Sequence, residues 1–285
     1  MIGDYLVIKL IASDLDGTII DNKHCIPENN IKAINALHKA NIPFVVCTGK
    51  TYSISKDICK NLNANFGIFG NGNQIIDLAT GKEIARKFLT LDEVKSCFSI
   101  IKKYNLHVHA YTENGIITTG LEYMDLRNSI LFPSKINIEI VDSVLNYIQK
   151  ENITIFKLVV SSLYNLSNIK EELETTTNLT ITRICKTGSY KDNVIDKEYE
   201  YLDISPLNVT KGSALEVLSQ YLDLNKEDIM SVGDNINDID MFVASGISTA
   251  VNNAYDEVKQ VATYVTNNSA ENGGFAEAIY KFVHF

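Results

Sequence analysis

Two acids stand one residue apart at the end of an apolar run, in "IASDLDGTII" (residues 11–20). Burying two such carboxylates costs several kcal/mol each unless something compensates. Asp14 and Asp16 therefore sit in a solvated turn or hold a cation. A carboxylate can attack phosphorus and form an aspartyl-phosphate. A second carboxylate two residues on can protonate a leaving group and later activate water. Further on come "VVCTGK" with Thr48, Gly49 and Lys50, "GNGN" with Asn71 and Gly72, Lys211 before "GSAL", and "GDNINDID" with Asp234, Asn237 and Asp238. Several carboxylates with amide and water oxygens make a hard oxygen site suited to Mg²⁺. A hydroxyl, a glycine amide and a lysine can hold a phosphate, as can neighbouring helix N-termini.

Each piece alone has a bland reading. "DLDGT" can be a polar turn, though it lacks the third acid of a calcium loop, and "GDNINDID" lacks that loop's Gly and closing Glu. A Thr-Gly turn after a strand is usually structural, and a lone lysine usually solvates a surface. His107 and His109 would share one strand face, as a metal pair could, but without a third ligand the structural reading is preferred. It is the set, in this order, that points to chemistry.

These residues must be brought together by strands. "YLVIKLIASD", "IPFVVCTGK", "NFGIF" and "DIMSVGD" read as buried strands, because their apolar runs are continuous rather than alternating. Helical stretches lie between them: "PENNIKAINALHKAN", opened by Pro27 with Ile31, Ile34, Leu37 and His38 on one face, then "SISKDICKNL", "KGSALEVLSQYLD" and "NDIDMFVAS". A short strand "STAVN" and a final helix "GGFAEAIYKFV" complete that part. The alternation predicts an α/β fold, a Rossmann-like doubly wound parallel sheet whose strand carboxyl ends gather the ligand. Asp14, Asp16, Thr48, Gly49, Lys50, Asn71, Gly72, Asp234, Asn237 and Asp238 fall at such an end or just after one, and Lys211 lies at the start of the helix just after the insertion.

Between about residues 86 and 204 the pattern changes. "LHVHAYT" and "GIITTG" form a hairpin around "ENG". "ITIFKLVVSS", "LTITRIC" and "EYEYLDIS" are strands, and "TLDEVKSCFSIIKKYN", "IEIVDSVLNYIQKE" and "NLSNIKEELETTT" are helices. This predicts an inserted α+β domain at 86–204, with the α/β core formed by 1–85 and 205–285.

The 285 residues carry a net charge of −9 and no long basic block, which argues against a nucleic-acid partner. No run approaches the ~20 apolar residues that span a bilayer, so no membrane partner is expected. Asp4, Lys9 and Asp14 interrupt the opening stretch, so no secretory signal is read there. The five cysteines, without CxxC spacing, read as reduced thiols in a cytoplasmic protein. The N-x-[ST] triplets at Asn152, Asn165 and Asn178 are then chance matches.

The set "DLDGT", "TGK", the lysine before "GSAL", and "GDNINDIDM" resembles, in order, the four motifs of the haloacid dehalogenase (HAD) superfamily phosphatases. The length, the insertion between the second and third motifs, and "GNGNQI" resemble the Cof-type branch (IIB), with its large α+β cap. The resemblance implies that Asp14 is the nucleophile, Asp16 the general acid/base, and Lys211 the group that balances charge. It implies that Thr48, Gly49 and Asn237 serve the substrate phosphate. It also implies a Mg²⁺ site at Asp14, the Asp16 main-chain carbonyl and Asp234, with Asp238 in support. The cap would close over the site and meet the leaving group. Lys50 stands where many relatives have Arg, and lysine cannot make a planar bidentate contact. Asn208 stands where a glycine is common.

The expected function is Mg²⁺-dependent hydrolysis of small phosphate monoesters: sugar, nucleotide or cofactor phosphates. The expected partner is a small phosphorylated metabolite. A phosphomutase and a non-catalytic Mg²⁺-dependent binding protein are the alternatives. Tyr111, Tyr123 and Arg127 are candidates for leaving-group contact, although such residues more often pack or face solvent.

Overall fold

Strand β1 (Leu10–Ser13) is buried at every position and lies between two parallel neighbours, β2 (Phe44–Cys47) and β12 (Ile229–Gly233). A strand covered on both faces needs apolar residues on both, which is why its sequence does not alternate. The computed structural model describes residues 7–121, 137–162, 165–189 and 196–285. They divide into two compact units. The first comprises the described residues within Met1–Gly49, Ile58–Ala85 and Thr210–Phe285; the second comprises those within Lys50–Asp57 and Arg86–Val209.

The first unit is built on an eight-stranded sheet. Its remaining strands are β3 (Phe66–Phe69), β4 (Gln74–Asp77), β5 (Glu83–Arg86), β13 (Ile247–Ala250) and β14 (Tyr264–Val265), in the order β14-β13-β12-β1-β2-β3-β4-β5. The strands from β14 to β3 pair in parallel. β4 is antiparallel to β3, so the sheet is parallel only in its central part. The helices are α1 (Glu28–Lys39), the end of α2 (Tyr52–Asn61), whose residues up to Asp57 group with the second unit, α6 (Lys211–Tyr221), α7 (Ile239–Val243), α8 (Asp256–Val261) and α9 (Gly274–Phe282). On α1, Asn30, Ala33, Ile34 and Leu37 are buried, whereas Ile31, expected inside, is exposed. Helix α6 opens with a reciprocal cap. The Thr210 hydroxyl accepts from the Ser213 amide at 3.1 Å, and the Ser213 hydroxyl accepts from the Thr210 amide at 3.0 Å. That cap fixes Lys211 as the first residue of the helix.

The second unit is a six-stranded sheet in the order β10-β11-β9-β6-β7-β8. Its strands are β6 (His107–Tyr111), β7 (Ile116–Thr118), β8 (Ile138–Ile140), β9 (Lys157–Ser162), β10 (Leu179–Ser189) and β11 (Asp196–Pro206). One face meets α3 (Leu91–Lys103), α4 (Val144–Glu151) and α5 (Ser167–Thr176), through a core that includes Val94, Ile100, Ala110, Leu158, Val160, Leu202 and Ile204. The opposite face carries buried polar side chains, Thr118, His109, Lys157, Ser161, Asp203 and Ser205, alongside Ile116 and Val159. There Lys157 pairs with Asp203, which accepts from the Ser205 hydroxyl at 3.0 Å.

One expectation needs correction. The helix expected from Ile138 begins only at Val144, after its cap Ser143, because Ile138–Ile140 pairs with β7 as a strand. Apart from that, β11 continues to Pro206, and residues 205–209 group with the second unit, as do 50–57. Tyr123 and Arg127 lie outside the described residues. Among the described residues, no helix is long and apolar enough to cross a membrane.

Candidate active site

Asp14 follows β1 directly, and its amide continues the ladder to the Val232 carbonyl at 3.0 Å. That bond seats the carboxylate beside the end of β12, where Asp234 and Asp238 follow. The Lys211 ammonium lies between two acids, 2.6 Å from Asp14 Oδ1 and 2.7 Å from Asp238 Oδ1. The other Asp238 oxygen accepts from the Asp234 and Asn235 amides at 2.9 and 3.0 Å. Asp238 thus fixes both the lysine and the loop that carries Asp234. Asp234 Oδ1 accepts from the Thr18 hydroxyl at 2.8 Å.

The remaining candidates flank this cluster. Thr48 is buried at the end of β2, with its amide bonded to the Ile68 carbonyl at 2.9 Å. The Asn71 amide donates to the Thr48 carbonyl at 3.1 Å, and Asn71 Oδ1 accepts from Asn237 Nδ2 at 2.9 Å. Asn71 has φ +58°, a left-handed conformation that asparagine tolerates better than most residues. A side chain on Gly49 would approach Asn71 Oδ1 to 3.1 Å. Asp16 is exposed, in a tight turn where the Gly17 amide donates to the Ile20 carbonyl at 2.8 Å.

The acids outnumber the lysine, and the consequences are electrostatic. Burial pushes Asp14 up to about 7; Asp238 and Asp16 push the same way, against the pull of Lys211. Burial, then Asp14 and Asp238, raises Asp234 well above the usual carboxylate range. Burial alone would lower Lys211, but Asp14 and Asp238 outweigh it and hold the ammonium charged. Carboxylate oxygens of Asp14, Asp234 and Asp238 lie within 4.8 Å of one another. Buried acids held this close and left with excess negative charge fit a metal ion with oxygen ligands. The Asp16 side chain is not in that group.

Two expectations arise here. Gly17 has φ +86°, and an added Cβ would stand 2.5 Å from Asp234 Oδ2. Gly17→Ala should cost about 1–3 kcal/mol of stability from backbone strain alone, read by urea unfolding, and should displace Asp234. The second concerns pH. The folded state holds the Asp14 proton more tightly than the unfolded chain, so metal-free protein loses stability as pH rises toward about 7. Asp14→Asn has no such proton. Its melting temperature relative to the parent should therefore rise from about pH 4 to about pH 7 without metal and level off above that.

Sequence reasoning missed two contributors. Thr18 was legible as part of "DLDGT" but not as the partner of Asp234. Asn71 was noted at the sheet edge but not as the residue that links Thr48 to Asn237. His107 and His109 do share a face, with Nε2 atoms 2.9 Å apart and the Thr118 hydroxyl 3.3 Å from His107.

The acidic cluster lies at the carboxyl edge of the sheet's parallel part, where open α/β sheets bind their ligands. The family model for haloacid dehalogenase-like hydrolases matches residues 11–279, and the chain belongs to that family. It is 27% identical over 277 residues to a Bacillus subtilis protein named 5-amino-6-(5-phospho-D-ribitylamino)uracil phosphatase YcsE, covering 97% of this chain and 96% of that one. The fold is similar to that of a haloacid dehalogenase-like hydrolase from B. subtilis, with a TM-score of 0.81, 22% identity, and coverage of 97% of this chain and 100% of that one. It is similar also to a HAD subclass IIB sugar phosphatase, with a TM-score of 0.75, 21% identity, and coverage of 96% and 98%.

Proposed function

We propose that the chain hydrolyses small phosphate monoesters with Mg²⁺, through an aspartyl-phosphate on Asp14. The observation that carries this reading is the lysine held between Asp14 and Asp238, with Asp234 alongside. An Asp14 oxygen attacks phosphorus as the ester P–O bond breaks, and Asp16 gives its proton to the departing oxygen. Asp16 then takes a proton from water, whose oxygen attacks phosphorus and frees Asp14. The exposure of Asp16 suits a group that must reach the leaving oxygen and then water. Lys211 balances the charge on Asp14 and the phosphoryl oxygens, and Thr48, Gly49 and Asn237 bind those oxygens. Mg²⁺ held by Asp14, Asp234 and the Asp16 carbonyl, with Asp238 behind them, would supply the positive charge that keeps Asp14 ionised near neutral pH.

The leaving group is a sugar, nucleotide or cofactor fragment. The names of the relatives support that range, since one specifies a phosphoribitylamino-uracil and another a sugar phosphate. Phosphate release from a panel of such esters, with Mg²⁺ and with chelator, tests the reading. Metal-dependent release from at least one class is expected. Isomer exchange without release, or binding without turnover, would overturn it.

A further inference from the structure

The turn that bears Asp16 is held by a side chain from a distant part of the sequence. Asn253 Nδ2 donates to the Gly17 carbonyl at 2.8 Å, and Asn253 Oδ1 accepts from the Ala270 amide at 2.6 Å. Gly17 is thereby tied at both of its polar groups, since its amide already bonds to Ile20. It separates Asp16 from Thr18, the partner of Asp234.

The surroundings of Asn253 are built to the same end. Val251 donates its amide to the Gly233 carbonyl at 3.2 Å, and Tyr255 donates to the Asp234 carbonyl at 3.1 Å. One short segment thus backs both the Asp234 loop and the Gly17 turn. Its anchor at Ala270 is itself steadied, because Glu277 accepts from the Asn267 and Asn268 amides at 2.8 and 2.9 Å. A buried counterpart makes the same kind of contact next door. Asn30 donates to the Ile19 carbonyl at 3.1 Å and accepts from the Ala276 amide at 3.0 Å.

We propose that Asn253 is a positioning residue, whose amide sets the Asp16–Thr18 turn so that its groups meet metal and substrate correctly. This rests on the function proposed above. Asn253 is exposed, so its removal leaves no cavity, and a purely structural role would show only as a fall in metal-free stability. Asn30 is buried, and its loss would confound folding with positioning.

The test uses Asn253→Ala and Asn253→Asp. The first removes both contacts. The second keeps the acceptor for Ala270 but replaces the donor toward Gly17. For each, kcat, substrate KM and the Mg²⁺ midpoint of thermal stabilisation are measured. Both variants should show kcat down about tenfold, KM changed less than about twofold, and the Mg²⁺ midpoint raised about three- to tenfold. The metal-free melting temperature should stay within about 2 °C of the parent. Charge alone would make the added acid tighten Mg²⁺ binding, so loss in both variants identifies the missing donor. Parent-like kcat and Mg²⁺ midpoints would overturn the proposal, as would a fall confined to metal-free stability. Should the parent release no phosphate from any ester, the proposed function fails, and the Mg²⁺ midpoint still decides the positioning role.

Discussion

Asp14→Asn is expected to fold like the parent and to lose phosphate release by at least about 10⁴-fold. The amide has the shape of the carboxylate and keeps an oxygen that Lys211 can reach at the place where Asp14 Oδ1 now lies, 2.6 Å from the ammonium. It lacks the charge and nucleophilicity needed to attack phosphorus. The loss should appear in kcat on every ester that the parent accepts, because the nucleophile is common to all of them. A melting curve separates this from misfolding. Turnover within about tenfold of the parent would remove Asp14 from the centre of the chemistry.

Lys211→Met should be nearly as damaging to activity and worse for stability. Methionine has similar length and no charge, so Asp14 and Asp238 would face each other without the ammonium that now lies between them. Breaking a buried pair by removing one partner leaves uncompensated charge and costs about 3–5 kcal/mol. Urea unfolding reads that loss. Activity should fall by about 10³-fold, the scale of losing a group aimed at developing charge. The two substitutions act on one cluster and should not add. In Lys211→Met/Asp14→Asn the remaining excess charge is smaller, so part of the lost stability should return while activity stays absent.

The first unit's acidic cluster was legible in the sequence because its pieces are local. "DLDGT", "TGK" and "GDNINDID" each lie just after an apolar run, and a parallel sheet brings such run ends to one edge. That edge now holds Asp14, Asp234, Asp238 and Lys211 together. What escaped depends on tertiary pairing. Nothing local distinguishes β4 as an antiparallel neighbour of β3, since "QIID" suits a strand of either direction. The stretch "IEI" lies at the head of an amphipathic pattern that continues into α4, and only the β7 partner makes it a strand. Nothing local marks Asn253, whose amide donates to the carbonyl of Gly17, 236 positions away. The second unit's polar face was hidden for the same reason. Lys157 and Asp203 lie on strands that the sequence does not place side by side, yet they are buried together.

The central claim is a covalent phosphoryl group on Asp14. The parent and Asp14→Asn should be mixed with a ³²P-labelled monoester and Mg²⁺, quenched in acid within one turnover, and digested. We expect label on the peptide that contains Asp14, labile to hydroxylamine as an acyl phosphate is, and absent from the variant and from samples quenched after chelation. Label on a different residue, or undiminished turnover by Asp14→Asn, would contradict the account.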